Sequence, residues 1–173
     1  MPKRFMFDSN VADALLADEA LRVAVHSLMA AGVVGAAKTL VQDEEHAATP
    51  NPERRAALAD IFSGLEVVAP SVFVLDRPNI DCARFGGPDE HAIYDRVWAG
   101  KSTDAEDGII AATAHSTCDV LVTEDRKLAT RVADVSRTLA WPVEVWNVNR
   151  FRTFVADEMN RTQLSAALGG NKD

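Results

Sequence analysis

The sequence predicts an α/β domain in which helices cover both faces of a central parallel sheet. Short apolar segments alternate along the chain with segments whose apolar residues recur at helical spacing. A chain of 173 residues fits one domain, and folding would remove roughly 70% of its surface from water. It contains no internal repeat and no low-complexity block. Together these observations favour a single three-layer α/β/α unit.

Each predicted strand is a short apolar segment, bounded by turn residues or by the start of a helix. The predicted strands are 4–7, 32–36, 67–69, 72–75, 119–123 and 143–146. Helices are predicted where apolar residues follow helical spacing, and several begin at a capping residue. The predicted helices are two within 9–28, broken near Asp18 and Glu19, followed by 39–45, 51–64, 107–115 and 124–133.

The segment 76–101 is rich in Pro and Gly and predicts at most two short helices. Order returns at Thr103-x-x-Glu106, a capping-box pattern that precedes the helix beginning at Asp107. We expect residues 1–150 to form the single domain. Residues 151–173 are expected to add its C-terminal helix and a tail that frays from Leu168.

Charge and cysteine content restrict the class of function. The chain has 18 basic and 26 acidic residues, a net charge of −8, which argues against coating nucleic acid by bulk electrostatics. Its two cysteines, Cys82 and Cys118, form no zinc pattern and are expected to be buried thiols of a cytoplasmic protein. The longest apolar stretch, 30–37, is far too short to span a membrane, and Asp8 interrupts the N-terminal segment before a secretory signal could form.

Two carboxylates follow apolar strands directly. Asp8 ends the first strand, and Asp125 lies just beyond the strand that ends at Thr123. The carboxyl ends of parallel strands form the edge where open α/β sheets bind ligands, so both acids are candidate site residues, although each could simply cap the next helix. Asp107 opens an unusually apolar helix, where the helix dipole favours an ionised acid, and Asp104 lies one turn earlier on the same face.

A further acid follows the second strand, within the run Asp43, Glu44 and Glu45. Glu45 lies four positions after the apolar Val41 and is therefore expected near the buried edge of its helix. Asp43 and Glu44 are better placed for solvent. The sequence favours Glu45 as the site acid but leaves the choice among the three open.

These motifs together resemble those of the PIN-domain ribonucleases, which include the VapC-like toxins of toxin-antitoxin pairs. The resemblance spans 4–146 and is carried by Asp8-Ser9-Asn10, Thr39 to Glu45, Asp107-Gly-Ile-Ile-Ala-Ala-Thr-Ala and Leu121-Val-Thr-Glu-Asp125. It implies a parallel sheet of about five strands in the order 3-2-1-4-5. It also implies that Asp8, Glu45, Asp107 and Asp125 bind metal, with Ser9, Asn10 and Thr123 orienting them.

Four converging carboxylates would repel one another by about 3 kcal/mol per adjacent pair, using an effective dielectric of ~20 and ~5 Å. Their hard oxygen atoms suit Mg²⁺ or Mn²⁺ rather than zinc. The resemblance implies divalent-metal-dependent hydrolysis of RNA, a small antitoxin as a possible partner and a homodimer. The basic residues that could hold RNA, if they are not simply solvated surface charges, are Arg84, Lys101, Arg126, Lys127 and Arg131.

The sequence fits three other classes of protein less well than it fits a ribonuclease. A haloacid-dehalogenase-like phosphohydrolase needs a second Asp two positions after the first, where this chain has Asn10. A receiver domain needs paired acids near the first strand, and this chain lacks that pair. A non-catalytic PIN-like interaction module is disfavoured by the retention of all four acids. The side chains expected to be structural are His26, His46, His91, His115, Trp98, Trp141 and Trp146.

Overall fold

The computed structural model describes residues 1–72, 86–100, 104–139 and 142–169. Within these residues it contains a sheet of five parallel strands in the order β3-β2-β1-β4-β5. The strands are β1 (Lys3–Phe7), β2 (Val34–Thr39), β3 (Glu66–Val68), β4 (Val120–Val122) and β5 (Glu144–Trp146). The class and the strand order are those predicted, so the fold expectation is confirmed.

Helices pack on both faces of the sheet. They are α1 (Val11–Ala17), α2 (Glu19–Ala30), α3 (Leu40–Ala47), α4 (Pro52–Ser63), α5 (Pro88–Trp98), α6 (Ala105–Thr117), α7 (Arg126–Ser136) and α8 (Val148–Gly169). None of the helices in the described parts of the chain combines the length and the apolar character needed to cross a membrane.

Side-chain alternation along the central strand builds two cores. Phe5 and Phe7 enter one core together with the apolar residues of α1, α2, α4 and α8, whereas Met6 enters the other with α5, α6 and α7. The last three residues of β1, Phe5, Met6 and Phe7, are fully buried. Trp146 packs edge-on against Phe5 at 5.5 Å between ring centroids, so the prediction that it is a packing anchor is confirmed.

Several element boundaries differ from the prediction for local reasons. The second strand begins at Val34 because Gly32, with φ +68°, forms the turn that ends α2. It continues to Thr39, which pairs with Val68 of β3. Helix α6 begins at Ala105 rather than residue 107, since Asp104 occupies its N-cap.

Helix α7 begins at Arg126 rather than at residue 124, because the Asp125 carboxylate accepts hydrogen bonds from the first-turn N–H groups of Lys127 and Leu128. The C-terminal helix begins at Val148, three residues before the expected start. Several expectations fall wholly or partly outside the described residues: the strand 72–75, residues 76–85 and 101 of the segment 76–101, Cys82, Thr103 of the capping box, Trp141 and the tail end 170–173. The described part of 76–101 contains α5.

Helices α5 and α6 approach closely where Gly108 faces Tyr94. A Cβ atom on Gly108 would lie 2.8 Å from Tyr94 Cδ2 and 3.3 Å from the Tyr94 carbonyl oxygen. This contact requires a residue without a side chain on the helix that carries Asp107.

Gly108→Ala is therefore expected to lower the free energy of unfolding by about 1–2 kcal/mol, because overpacking outweighs the gain in helix propensity. Urea unfolding of the variant measures the loss. Combining it with Tyr94→Leu should destabilise less than the sum of the two single changes. Unchanged or increased stability of Gly108→Ala would contradict this packing.

Candidate active site

Asp8 lies at the carboxyl end of the central strand and is only 4% exposed. Its backbone N–H donates to the Val122 carbonyl oxygen, which continues the pairing of β1 with β4. The carboxylate therefore lies at the middle of the sheet edge, where the neighbouring strands also end. It does not cap the following helix, since Asn10 occupies the N-cap of α1.

Three donors satisfy the Asp8 carboxylate. The Ser9 N–H donates to Oδ1 at 2.7 Å, while the Asn10 amide and the Thr123 hydroxyl each donate to Oδ2 at 2.6 Å. Burial raises the pKa of Asp8 although these hydrogen bonds act in the opposite direction, and the charge of Asp125 adds to the rise. The residues expected to orient the acid thus contact it directly.

Thr123 connects two of the candidate acids. Its hydroxyl donates to Asp8 and accepts a hydrogen bond from the Asp125 N–H at 2.9 Å. The side chain is buried at the end of β4. One hydroxyl therefore sets the position of Asp8 relative to the start of α7.

Asp107 is half-buried in the first turn of α6, and none of the described residues donates a hydrogen bond to its carboxylate. Burial is the main cause that raises its pKa to about 7, followed by the charges of Asp8, Asp125, Asp104 and Glu106. The four acids that act on Asp107 come from three separate segments of the chain. Their combined effect shows that negative charge is concentrated at this edge of the sheet.

Glu45 extends from α3 toward the same edge. Its carboxylate accepts a hydrogen bond from the Ser9 hydroxyl. Burial chiefly raises its pKa to about 7, and the neighbouring Glu106, close enough to share a proton, raises it further. Asp8 also opposes its ionisation. Glu45 thus interacts with Asp8 through charge and through Ser9, whose hydroxyl donates to Glu45 and whose N–H donates to Asp8.

The other two acids of the run point elsewhere. Asp43 forms an ion pair with the buried Lys38 at 2.5 Å, and Glu44 lines a cleft between α3 and α4. Gln42, fully buried, accepts from the Thr39 N–H at 2.6 Å and donates to the Phe7 carbonyl oxygen. This glutamine joins α3 to the end of β1, one residue before Asp8.

Asp104 and Arg131 are engaged with each other. The guanidinium donates to the Asp104 carboxylate at 2.7 Å and to the Val97 carbonyl oxygen at 2.6 Å. Asp104 is therefore paired with a cation, although its charge still contributes to the raised pKa of Asp107. Arg131 links α5, α6 and α7, and its contacts are structural.

The other basic residues predicted as candidates to hold RNA differ in placement. Arg126 and Lys127 are exposed at the start of α7, while Arg84 and Lys101 lie outside the described residues.

Glu106 is a further acid beside Glu45 and Asp107 that the sequence analysis did not select as a candidate site residue. In the sequence it completes the capping-box pattern Thr103-x-x-Glu106. The signal that identifies it as a candidate acid is its position beside Asp107 in the first turn of an apolar helix.

His46 is predicted to be structural. It packs edge-on against Phe62, with 4.4 Å between ring centroids, which agrees with that expectation.

The donor set has the chemistry that a hard divalent cation requires, since all its ligand atoms are carboxylate oxygens under mutual repulsion. The geometry is less complete. Among the described residues, no group of three or more acidic, histidine or cysteine side chains is arranged to enclose one ion. Both Asp8 oxygens hold hydrogen bonds from their own chain, and one Asp125 oxygen caps α7.

The fold and this edge define an α/β protein with a buried acidic cluster at the centre of a 3-2-1-4-5 sheet. No protein-family model matches the chain, and no curated protein sequence matches it. A similar solved structure is PAE2754 from Pyrobaculum aerophilum, with 16% identity, a TM-score of 0.52, and coverage of 91% of this chain and 99% of that one.

A second similar structure is VapBC2 from Rickettsia felis, solved with a bound DNA fragment from the VapBC2 promoter. It shares 14% identity at a TM-score of 0.47, covering 83% of this chain and 98% of that chain. At these identities the likeness to PAE2754 is one of fold, over nearly the full length of both chains. The chemistry of the edge is therefore inferred from its own residues.

Thr123→Val is expected to leave Asp8 buried with one donor fewer, and the Asp125 N–H without its acceptor. The free energy of unfolding should fall by about 1–3 kcal/mol because a buried charged group loses a hydrogen bond. Thr123→Ser keeps the hydroxyl and is the matched control, expected within about 1 kcal/mol of wild type. Chemical denaturation compares the three proteins, and equal stability of the Val and Ser variants would contradict the role of the hydroxyl.

The raised pKa values of Asp107 and Glu45 predict how stability depends on pH when divalent ions are absent. The folded state keeps protons up to about pH 7 that the unfolded chain releases near its ordinary values of 3.8 and 4.5. The free energy of unfolding should therefore fall as pH rises from about 4 to 7. After allowing for solvent screening of these half-exposed groups, the loss is of order 1 kcal/mol per group.

Asp107→Asn should flatten this decline and make the variant more stable than wild type at pH 8, since its amide neither titrates nor repels the other acids. Glu53→Gln, which changes an exposed acid of α4, is the control and should preserve the wild-type profile. Unfolding curves recorded at one-unit pH intervals in chelator provide the measurement. A wild-type profile that rises over this range would show that the acids are not close together.

Proposed function

We propose that this protein is a divalent-metal-dependent endoribonuclease whose site is the acidic edge formed by Asp8, Glu45, Asp107 and Asp125. The observation that carries the proposal is the convergence of these acids at the carboxyl end of the central strands, where Ser9 contacts both Asp8 and Glu45, and Thr123 contacts both Asp8 and Asp125. Burial, followed by the neighbouring charges, raises the pKa of Asp8, Glu45 and Asp107. Such a cluster stays ionised at neutral pH only with a compensating cation. The motifs shared with the PIN-domain ribonucleases support RNA as the substrate.

Mg²⁺ or Mn²⁺ bound at this edge would lower the pKa of a coordinated water and stabilise charge on the leaving oxygen. Asp8 and Asp107 are the proposed principal ligands. Asp107 has no hydrogen-bond donor among the described residues, so its oxygens are available to a ligand. Thr123 and Asn10 hold Asp8 in one orientation.

Glu45 and Asp125 complete the proposed site as further ligands or as groups that position water. Burial raises the pKa of Glu45 to about 7, a value that would suit a residue that accepts a proton from an attacking water. Ser9 holds the carboxylate of Glu45 on the side that faces Asp8. Asp125 contributes charge to the edge while one of its oxygens caps α7.

The test is cleavage of labelled RNA by the purified protein with Mn²⁺, with and without chelator. Asp107→Ala and Asp8→Asn are each expected to lower the rate at least about a hundredfold, because metal ligands supply several kcal/mol of transition-state stabilisation. Asp119→Asn, at the opposite edge of the same sheet, is the matched control and should cleave like wild type.

The same proteins give a second measurement that does not depend on activity. Mn²⁺ should raise the melting temperature of wild type, by about 2–4 °C for each kcal/mol of binding linkage, and less in the Asp107 and Asp8 variants. Cleavage that survives both substitutions, or a melting temperature insensitive to millimolar Mn²⁺, would overturn the proposed metal centre.

A non-catalytic interaction module is the second candidate, favoured by the finding that no three described ligand side chains enclose an ion. It predicts neither Mn²⁺ binding nor cleavage, so the same measurements separate it from the nuclease. A small antitoxin that blocks the acidic edge and a homodimer are proposed as partners on the PIN-domain resemblance. The cytoplasm is proposed as the location on cysteine content.

A further inference from the structure

A groove of about 680 Å³ starts at the acidic edge and runs along α7. Thr123 and Asp125 line the end of the groove that lies at the edge. Helix α7 forms one wall, while the end of β5 and the start of α8 form the other. A linear molecule that contacts the acidic edge can therefore continue into this groove.

The side chains of the groove that remain available to a ligand are hydrogen-bond donors. Arg126 is exposed, and its guanidinium has no hydrogen-bond or ion-pair partner among the described residues. Asn147 uses its Oδ1 to accept from the Arg150 N–H. Asn149 uses its Oδ1 to accept from the Arg152 guanidinium. In the described parts of the chain the N–H groups of both amides have no partner, so the groove offers one guanidinium and two amides.

The acids of the groove are already engaged. Glu124 accepts from the first N–H of α8 at 2.7 Å. Asp134 is paired with Arg137 and Arg96. Asp125 caps α7 with one of its oxygens. Because the donors are available and the acids are engaged, the groove suits a ligand rich in acceptors, such as the phosphate and sugar oxygens of a nucleic-acid strand.

The position of unpaired cations supports the same ligand. In the described segments, most lysines and arginines lie within 4.0 Å of a carboxylate. The exceptions in those segments are Arg55 on α4, together with Arg126 and Lys127, which directly follow Asp125. Two cations without an acid partner therefore lie beside the acidic edge, where they offset the net charge of −8 that repels a polyanion.

We propose that this groove holds the sugar-phosphate backbone of an RNA strand on one side of the bond that is cleaved at the acidic edge. Arg126 binds a phosphate, and the amides of Asn147 and Asn149 donate to backbone oxygens. The inference rests on the proposed ribonuclease function. An acidic peptide also offers acceptors, but the groove begins at acids that the proposed function assigns to phosphate chemistry, which favours RNA. Backbone contacts of this kind fix the register of a strand without selecting bases.

The experiment couples single phosphates of the RNA to single side chains of the groove. An RNA oligonucleotide with a mapped cleavage site is prepared with one uncharged 2′-O-methyl methylphosphonate at a time, on either side of the cleaved bond. The reference RNA carries the same 2′-O-methyl ribose with a normal phosphate. Arg126→Ala removes the cation. Asn147→Asp keeps the hydrogen bond at the start of α8 and replaces the amide donors by a negative charge.

Two control variants make the same chemical changes outside the groove, at exposed positions. They are Arg55→Ala on α4 and Asn160→Asp on α8. Arg126→Ala and Asn147→Asp should each lower kcat/KM for the reference RNA about tenfold, and the controls by less than about twofold. At one phosphate, the methylphosphonate should slow wild type about tenfold and Arg126→Ala by less than about twofold. Equal losses in both proteins at every phosphate, or wild-type rates in both groove variants, would overturn the groove while the ribonuclease stands.

If wild type cleaves no RNA, the proposed function fails, and binding of the same oligonucleotides decides the inference. Fluorescence anisotropy then has to show the same coupling in affinity between one phosphate and Arg126. Absence of that coupling overturns the RNA groove. A hexaglutamate peptide that binds wild type more tightly than the RNA does, and Arg126→Ala about tenfold more weakly, would assign the groove to an acidic peptide instead. Circular dichroism spectra establish that each variant is folded.

Discussion

The burial of one carboxylate at the end of the central strand is the constraint on which the rest of this structure depends. Asp8 is 4% exposed, and a charged group so placed is tolerated only where donors from the protein replace water. One of those donors, Thr123, directly follows β4 and reaches Asp8 because Phe7 pairs with Val122. The register between β1 and β4 therefore determines the geometry of the site. A slip of β4 by one residue would break both the strand pairing and the hydrogen bond from Thr123 to Asp8.

The other acids surround Asp8 without an equivalent set of donors. Asp107 has none among the described residues, and Glu45 shares its surroundings with Glu106. A protein selected only for stability would replace such groups by amides or apolar residues, since their repulsion raises the free energy of the folded state. Retaining them is understandable where a cation or a proton transfer uses the charge.

The parts of the fold and site that were predictable are those set by local sequence. Asp8 and Asp125 were located at one edge because each follows an apolar strand and parallel strands end together. Contacts between distant segments were not accessible to this reasoning. Nothing in the sequence shows that the Gln42 amide reaches the Phe7 carbonyl oxygen, or that the Ser9 hydroxyl donates to Glu45. Both contacts orient α3 and help to place Glu45 at the edge.

The proposed action on RNA would have to rely on local contacts, because the net charge of −8 repels a polyanion. Arg131 and Arg54 are paired with Asp104 and Asp13, so neither is a free cation for phosphate. Under the proposed function, attraction of the phosphate backbone to the acids would then depend on a divalent ion held by the acidic edge. Because the Ser9 N–H donates to Asp8 and its hydroxyl donates to Glu45, the position of α3 relative to the end of β1 would determine whether these two acids share that ion.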